Sequence, residues 1–178
     1  MTEAPISTPP QAYMDIISSL IDKAREFLEA GERLQAMAFV GNLTTKEIIP
    51  VMIQPGSVED KDQSARTIQS AALALEADFV FAIMEAWTLR PDKMRQMKAI
   101  LDKFGSISAS PYAIDTCSLM LETRHGVWAA QPQIKPKGIS KKKRTIEVVE
   151  FRYFTETEGR FAHLLPKKEG DDPPMILH

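Results

Sequence analysis

The chain has 178 residues, 22 Lys plus Arg against 24 Asp plus Glu, and a formal net charge of -2. That near balance excludes a globally basic nucleic-acid binder and leaves only local patches to consider. Its length fits one domain able to bury a core without metal or disulfide staples, and a lone cysteine, Cys117, excludes an internal disulfide.

Residues 1–12 carry Pro5, Pro9 and Pro10 and lack both the basic start and the apolar stretch of a signal peptide. No run approaches a membrane span. A soluble cytoplasmic protein with no membrane partner is expected, with 1–12 as a flexible segment, 13–166 as one domain and 167–178 as a flexible tail.

Residues 13–30 predict a helix. Tyr13, Ile16, Ile17, Leu20, Ile21, Ala24, Phe27 and Leu28 recur at helical spacing, and Gly31 stops the run. Leu34 to Val40 and Ile48 to Ile53 predict two strands joined by the turn 41–46, with Pro50 confining the second to an edge. Ser57 and Asp60 are candidate N-caps for a second helix ending at Leu75. Phe79-Val80-Phe81-Ala82-Ile83-Met84 is apolar at both parities and predicts a central strand buried on both faces.

Pro91 opens a third helix ending at Gly105, with Met94, Met97, Leu101 and Phe104 as a stripe expected to face the core. The remainder is strand-like. Thr116–Thr123 and Val127–Ile134 flank a hairpin turn at Gly126. Thr145–Phe154 follows, and 156–159 turns into Arg160–Leu165. The expected fold is α+β, with a largely antiparallel sheet of six or seven strands and three helices mainly on one face.

Glu85 ends the apolar run and is the best site candidate. A carboxylate at the edge of a core needs a partner, a shifted pKa or a solvent-filled cleft. One reading makes it a general base or hydrogen-bond anchor in a cleft. The other makes it a structural ion pair, with Arg90 and Arg95 close in sequence. Trp87, two residues on, shares its face on a strand and with Arg90 could wall a pocket. Lys135, Lys137, Lys141, Lys142, Lys143 and Arg144 place six cations in ten residues between two strands. Of these, Lys137, Lys141, Lys142, Lys143 and Arg144 are candidate phosphate contacts, against the alternative of a solvated loop that keeps sheet edges apart.

His125, His163 and His178 have no zinc-site spacing, and no phosphate loop or nucleophile elbow occurs, so no metal and no cofactor is expected. Cys117, inside an apolar strand, reads as an inert core thiol.

The segment Ala77 to Trp87 with Arg90-Pro91 resembles a pattern in small uncharacterised bacterial and phage proteins, in which an apolar strand ends in Glu-Ala-Trp. The resemblance reaches back to Ala36–Val40 and Ile49–Val51. It implies a fold and no activity. A binding or interaction module is the leading reading, with a homo-oligomer as one partner. A hydrolase-like enzyme using Glu85 and a nucleic-acid accessory protein using 135–144 are the alternatives.

Overall fold

The computed structural model describes residues 5–155 and 164–166. Helix α1 (Gln11–Glu29) is followed by strands β1 (Met37–Gly41) and β2 (Ile48–Met52), then α2 (Val58–Leu75) and β3 (Phe79–Leu89). A 3₁₀ segment (Pro91–Gln96) leads into α3 (Met97–Phe104). Strands β4 (Ala113–Thr123), β5 (Gly126–Ala130), β6 (Ile134–Pro136), β7 (Arg144–Ile146) and β8 (Arg152–Phe154) complete the order. This is an α+β fold. Six strands form one antiparallel sheet in the order β2-β1-β3-β4-β5-β8, and β6 and β7 form a separate two-stranded hairpin.

The alternation of side chains along β3 decides what covers the sheet. Phe79, Phe81 and Ile83 face one side, where they pack with Leu119 and Leu121 under Tyr13, Ile17, Ile21, Ala24 and Leu28 of α1. Val80 and Ala82 face the other, with Ala38 and Val40, under Ala65, Ile68 and Ala72 of α2. The expectation of helices mainly on one face is therefore corrected. A strand apolar at both parities requires cover on both sides, and each long helix supplies one. Full burial of each large apolar side chain contributes about 1.5–3 kcal/mol, so the two cores are comparable in kind and share β3 as their common wall.

Local signals explain the element ends. Ser57 caps α2, its side chain accepting from the Asp60 amide while Asp60 accepts from the Ser57 amide. Pro50 sits on β2, the edge strand, where its missing N–H interrupts no outer ladder. Gly41 lies opposite Phe79, and a Cβ there would stand 2.2 Å from the Phe79 ring, so only glycine fits. Gly126 has φ +128° and closes the two-residue β4–β5 turn beneath the Tyr153 ring.

Three stretches differ from expectation. The predicted strand Thr145–Phe154 is divided into β7 and β8 by the irregular segment 147–151, and Ile134 belongs to β6 rather than to β5. None of the four stripe residues on α3 is buried: Met97 and Phe104 are half-buried, and Met94 and Leu101 are exposed. Ile100 is 4% exposed, whereas Met94 and Leu101 are 44% and 38% exposed. Spacing of 3 and 4 defines an apolar face but not what covers it. Of the segment 1–12, residues 5–7 make backbone contacts. Ser7 N donates to Phe151 O, Tyr153 N donates to Pro5 O, and Ile6 bridges Arg152.

The turn 156–159, His163 and the tail 167–178 with His178 lie outside the described residues. So does most of the expected strand Arg160–Leu165, of which Leu164 and Leu165 are described without strand pairing. Buried Leu164 packs on the α2 side of the sheet, its amide donating to Glu122 Oε2 at 3.0 Å. No helix among the described residues is long and apolar enough to cross a membrane.

Candidate functional site

β3 and β4 pair over eleven positions, whereas β1 reaches only to Ile83 and β5 only to Leu119. The far halves of β3 and β4 thus extend past their neighbours. Glu85 stands opposite Cys117, and Trp87 opposite Asp115, all on the α1 side. The β6–β7 hairpin lies over this region. It is anchored to α1 through Glu29, which accepts from Lys137 Nζ and from Thr145 Oγ1, each at 2.8 Å.

This docking carries Arg144 to Glu85. Arg144 Nη2 donates to Glu85 Oε1 at 2.9 Å and Nη1 to Glu85 Oε2 at 3.3 Å, and Nη1 also donates to Asp115 Oδ2 at 2.9 Å. Glu85 Oε1 accepts a further bond from the Leu34 amide at 2.9 Å. The three side chains are between 21% and 24% exposed. Both oxygens of Glu85 are occupied, and the arginine sits between two carboxylates where a cation would otherwise be needed. Among the described residues no group of three or more His, Cys, Asp or Glu is placed to hold a metal ion.

The electrostatics follow from this crowding. Burial pushes the Asp115 carboxyl above its ordinary range, with the neighbouring Glu85 adding to the rise and Arg144 and Arg33 opposing it. The Arg144 guanidinium is held further into its charged form by its bonds to Glu85. Cys117 lies beneath the pair, fully buried, and burial pushes its thiol up to about 12, with Glu85 and Asp115 adding to the rise. A thiol held protonated in this way is a poor nucleophile.

The arginine that pairs with Glu85 is thus neither Arg90 nor Arg95. Arg90 makes two bonds to Asp92, at 3.1 and 2.8 Å, and lies 5.7 Å from the centre of the Tyr112 ring. Trp87 shares the Glu85 face but is 53% exposed. The basic cluster is divided. Lys135 pairs with Glu147, Lys137 with Glu29, and Arg144 with Glu85 and Asp115. Lys141, Lys142 and Lys143 remain exposed at the hairpin turn, next to a fully exposed Ile139.

A groove adjoins Glu85. It has a volume of about 420 Å3 and lies between α1 and the β1–β3 face. Leu20, Ala24 and Phe27 form one wall, Met37 and Phe39 the other, and Ile83, two places before Glu85, the floor. Lys23, Glu32, Arg33 and Gln35 supply its polar rim. The rim loop is held in place where Leu34 donates to Glu85. Two other hollows, about 500 and 550 Å3, flank the irregular segment 147–151, where Val148 is exposed.

No local sequence pattern marks this groove. Met37 and Phe39 alternate as one face of β1, which is a signal for a shared face but not for its being uncovered. Phe27 belongs to the helix stripe yet is exposed. No protein-family model, no curated protein and no solved structure matches the chain.

Proposed function

We propose that this protein is a binding module whose ligand site is the groove between α1 and β1. The observation that carries the reading is a concave apolar surface with polar groups confined to its rim, of the size that small-molecule sites occupy, roughly 300–1,000 Å3. The state of Glu85 supports it as well. A general base needs a free oxygen facing substrate, and both oxygens of Glu85 already accept hydrogen bonds. In this reading Glu85 positions the groove's rim loop through the Leu34 amide and does no chemistry itself.

The test is saturable binding of a neutral apolar fluorophore, N-phenyl-1-naphthylamine, to the full chain. Wild type binds one equivalent. Phe27→Glu, which places a carboxylate in the groove wall at an exposed position, removes binding and leaves the melting temperature unchanged. A wild-type protein that does not bind the probe, or a variant that binds it equally well, refutes the reading.

A further inference from the structure

We infer that the groove takes a monomeric alkyl carboxylate, its chain along Phe27, Met37, Phe39 and Ile83 and its head group at Arg33. The inference rests on the binding-module reading and adds the ligand's chemistry. The walls and floor carry no titratable group, so the body of the ligand must be apolar. The rim carries two cations, Lys23 and Arg33, against one acid, Glu32. Lys23 is engaged with Glu26 at 3.4 Å. Arg33 makes no hydrogen bond and no ion pair with a described residue, although its charge reaches Asp115 and lowers that carboxyl's pKa. A guanidinium presents a planar fork of donors that matches a carboxylate in two-point contact. The residue after it, Leu34, is tied to Glu85, so the backbone that carries Arg33 is fixed before any ligand arrives. A fixed backbone lowers the ordering cost of binding. A cationic head group would meet Arg33 and Lys23 with like charge, and a neutral one would leave the guanidinium unused.

The experiment displaces N-phenyl-1-naphthylamine from the full chain with dodecanoate, 1-dodecanol and dodecyltrimethylammonium, each below its aggregation limit. Dodecanoate is expected to displace the probe at about five-fold lower concentration than dodecanol, the scale of an ion pair at an exposed rim, and the ammonium is expected to be weakest. Arg33→Gln should abolish the preference for dodecanoate, and Arg33→Lys should keep part of it. Equal displacement by all three, a preference that survives Arg33→Gln, or a probe that binds but yields to none of them overturns the inference and leaves the groove as a site for another occupant. A probe that never binds instead overturns the binding-module reading itself.

Discussion

Glu85 and Arg144 stand 59 positions apart in sequence, and their side chains meet at two points, 2.9 and 3.3 Å. Since Arg144 belongs to the β6–β7 hairpin and Glu85 to the central strand, this contact fastens the hairpin to the sheet. Asp115 completes the fastening from β4, and the Leu34 amide extends it to the loop before β1.

Arg144 and Glu85 should differ in cost. Arg144→Met leaves two carboxylates facing each other without a cation, and is expected to lower stability by about 3 kcal/mol. Glu85→Gln keeps an acceptor for Leu34 and is expected to cost about 1–2 kcal/mol. In the double variant the losses should fall short of additive by about 1 kcal/mol. Urea denaturation of the four proteins measures all three quantities. An Arg144→Met variant no less stable than Glu85→Gln would show that Arg144 contributes nothing by neutralising the acids.

Cys117 should be silent in the native protein. At pH 8 iodoacetamide should leave it unmodified for as long as the fold persists and label it promptly in denaturant. Linkage gives a second readout. The folded thiol titrates at about 12, above its ordinary value of 9.0. Its contribution is therefore intact below pH 9 and is lost as pH rises from there to 12, because the unfolded chain releases the proton first. Wild type should lose stability over that interval more steeply than Cys117→Ala, which lacks the group. Parallel slopes for the two proteins, or rapid native labelling, contradict the burial described for this residue.

Gly41→Ala tests the close approach of the β1 backbone to the Phe79 ring. A methyl group at this position meets the Phe79 ring at 2.2 Å, and Phe79 is fully buried against Tyr13, edge to face at 5.9 Å. The ring cannot move aside freely, so a loss of about 3 kcal/mol is expected, at the upper end for overpacking. Combining Gly41→Ala with Phe79→Leu should cost less than the two changes added together. Strict additivity in thermal or urea unfolding would mean that the two residues do not press on each other.

Burial on α3 separates two neighbours in sequence. Leu101→Glu should change stability by no more than about 0.5 kcal/mol, as an exposed substitution does. Ile100→Ala should cost about 2–4 kcal/mol, the range for truncating a buried aliphatic side chain. Paired melting curves decide the matter, and a large loss from Leu101→Glu would place that residue in a core.

Much of the framework was legible in the residues. The apolar run at Phe79 marks the central strand because only an element covered twice can be apolar at both parities. Pro50 marks an edge because it has no N–H to give. Ser57 and Asp60 mark the start of α2 because their spacing closes a capping box. What was not legible depends on closure over long stretches of chain. Nothing near Glu85 announces Arg144, which reaches it only after a hairpin docks on α1. The near neighbours Arg90 and Arg95 were the wrong partners for the same reason. On a strand end that leads into a 3₁₀ turn, Arg90 finds Asp92 two places away before it can find anything on the sheet. The stripe of α3 misled because periodicity reports one apolar side of a helix and is blind to whether another element lies against it. The groove was not legible because it lies between two separate elements, a relation no local pattern encodes.

The contacts of Pro5, Ile6 and Ser7 with Phe151, Arg152 and Tyr153 join stretches with nearly all of the described chain between them. Such a seam is slow to close, since the entropy of a very long loop must be met before the contact forms. The β4–β5 hairpin, with its two-residue turn, has no such delay. Closure of the β8 border is accordingly expected to follow formation of the β4–β5 hairpin. The same border should be the first to fray. When it does, three residues of strand are left with unmet hydrogen-bonding groups, and the stitch at residues 5–7 is what keeps them from a neighbouring molecule.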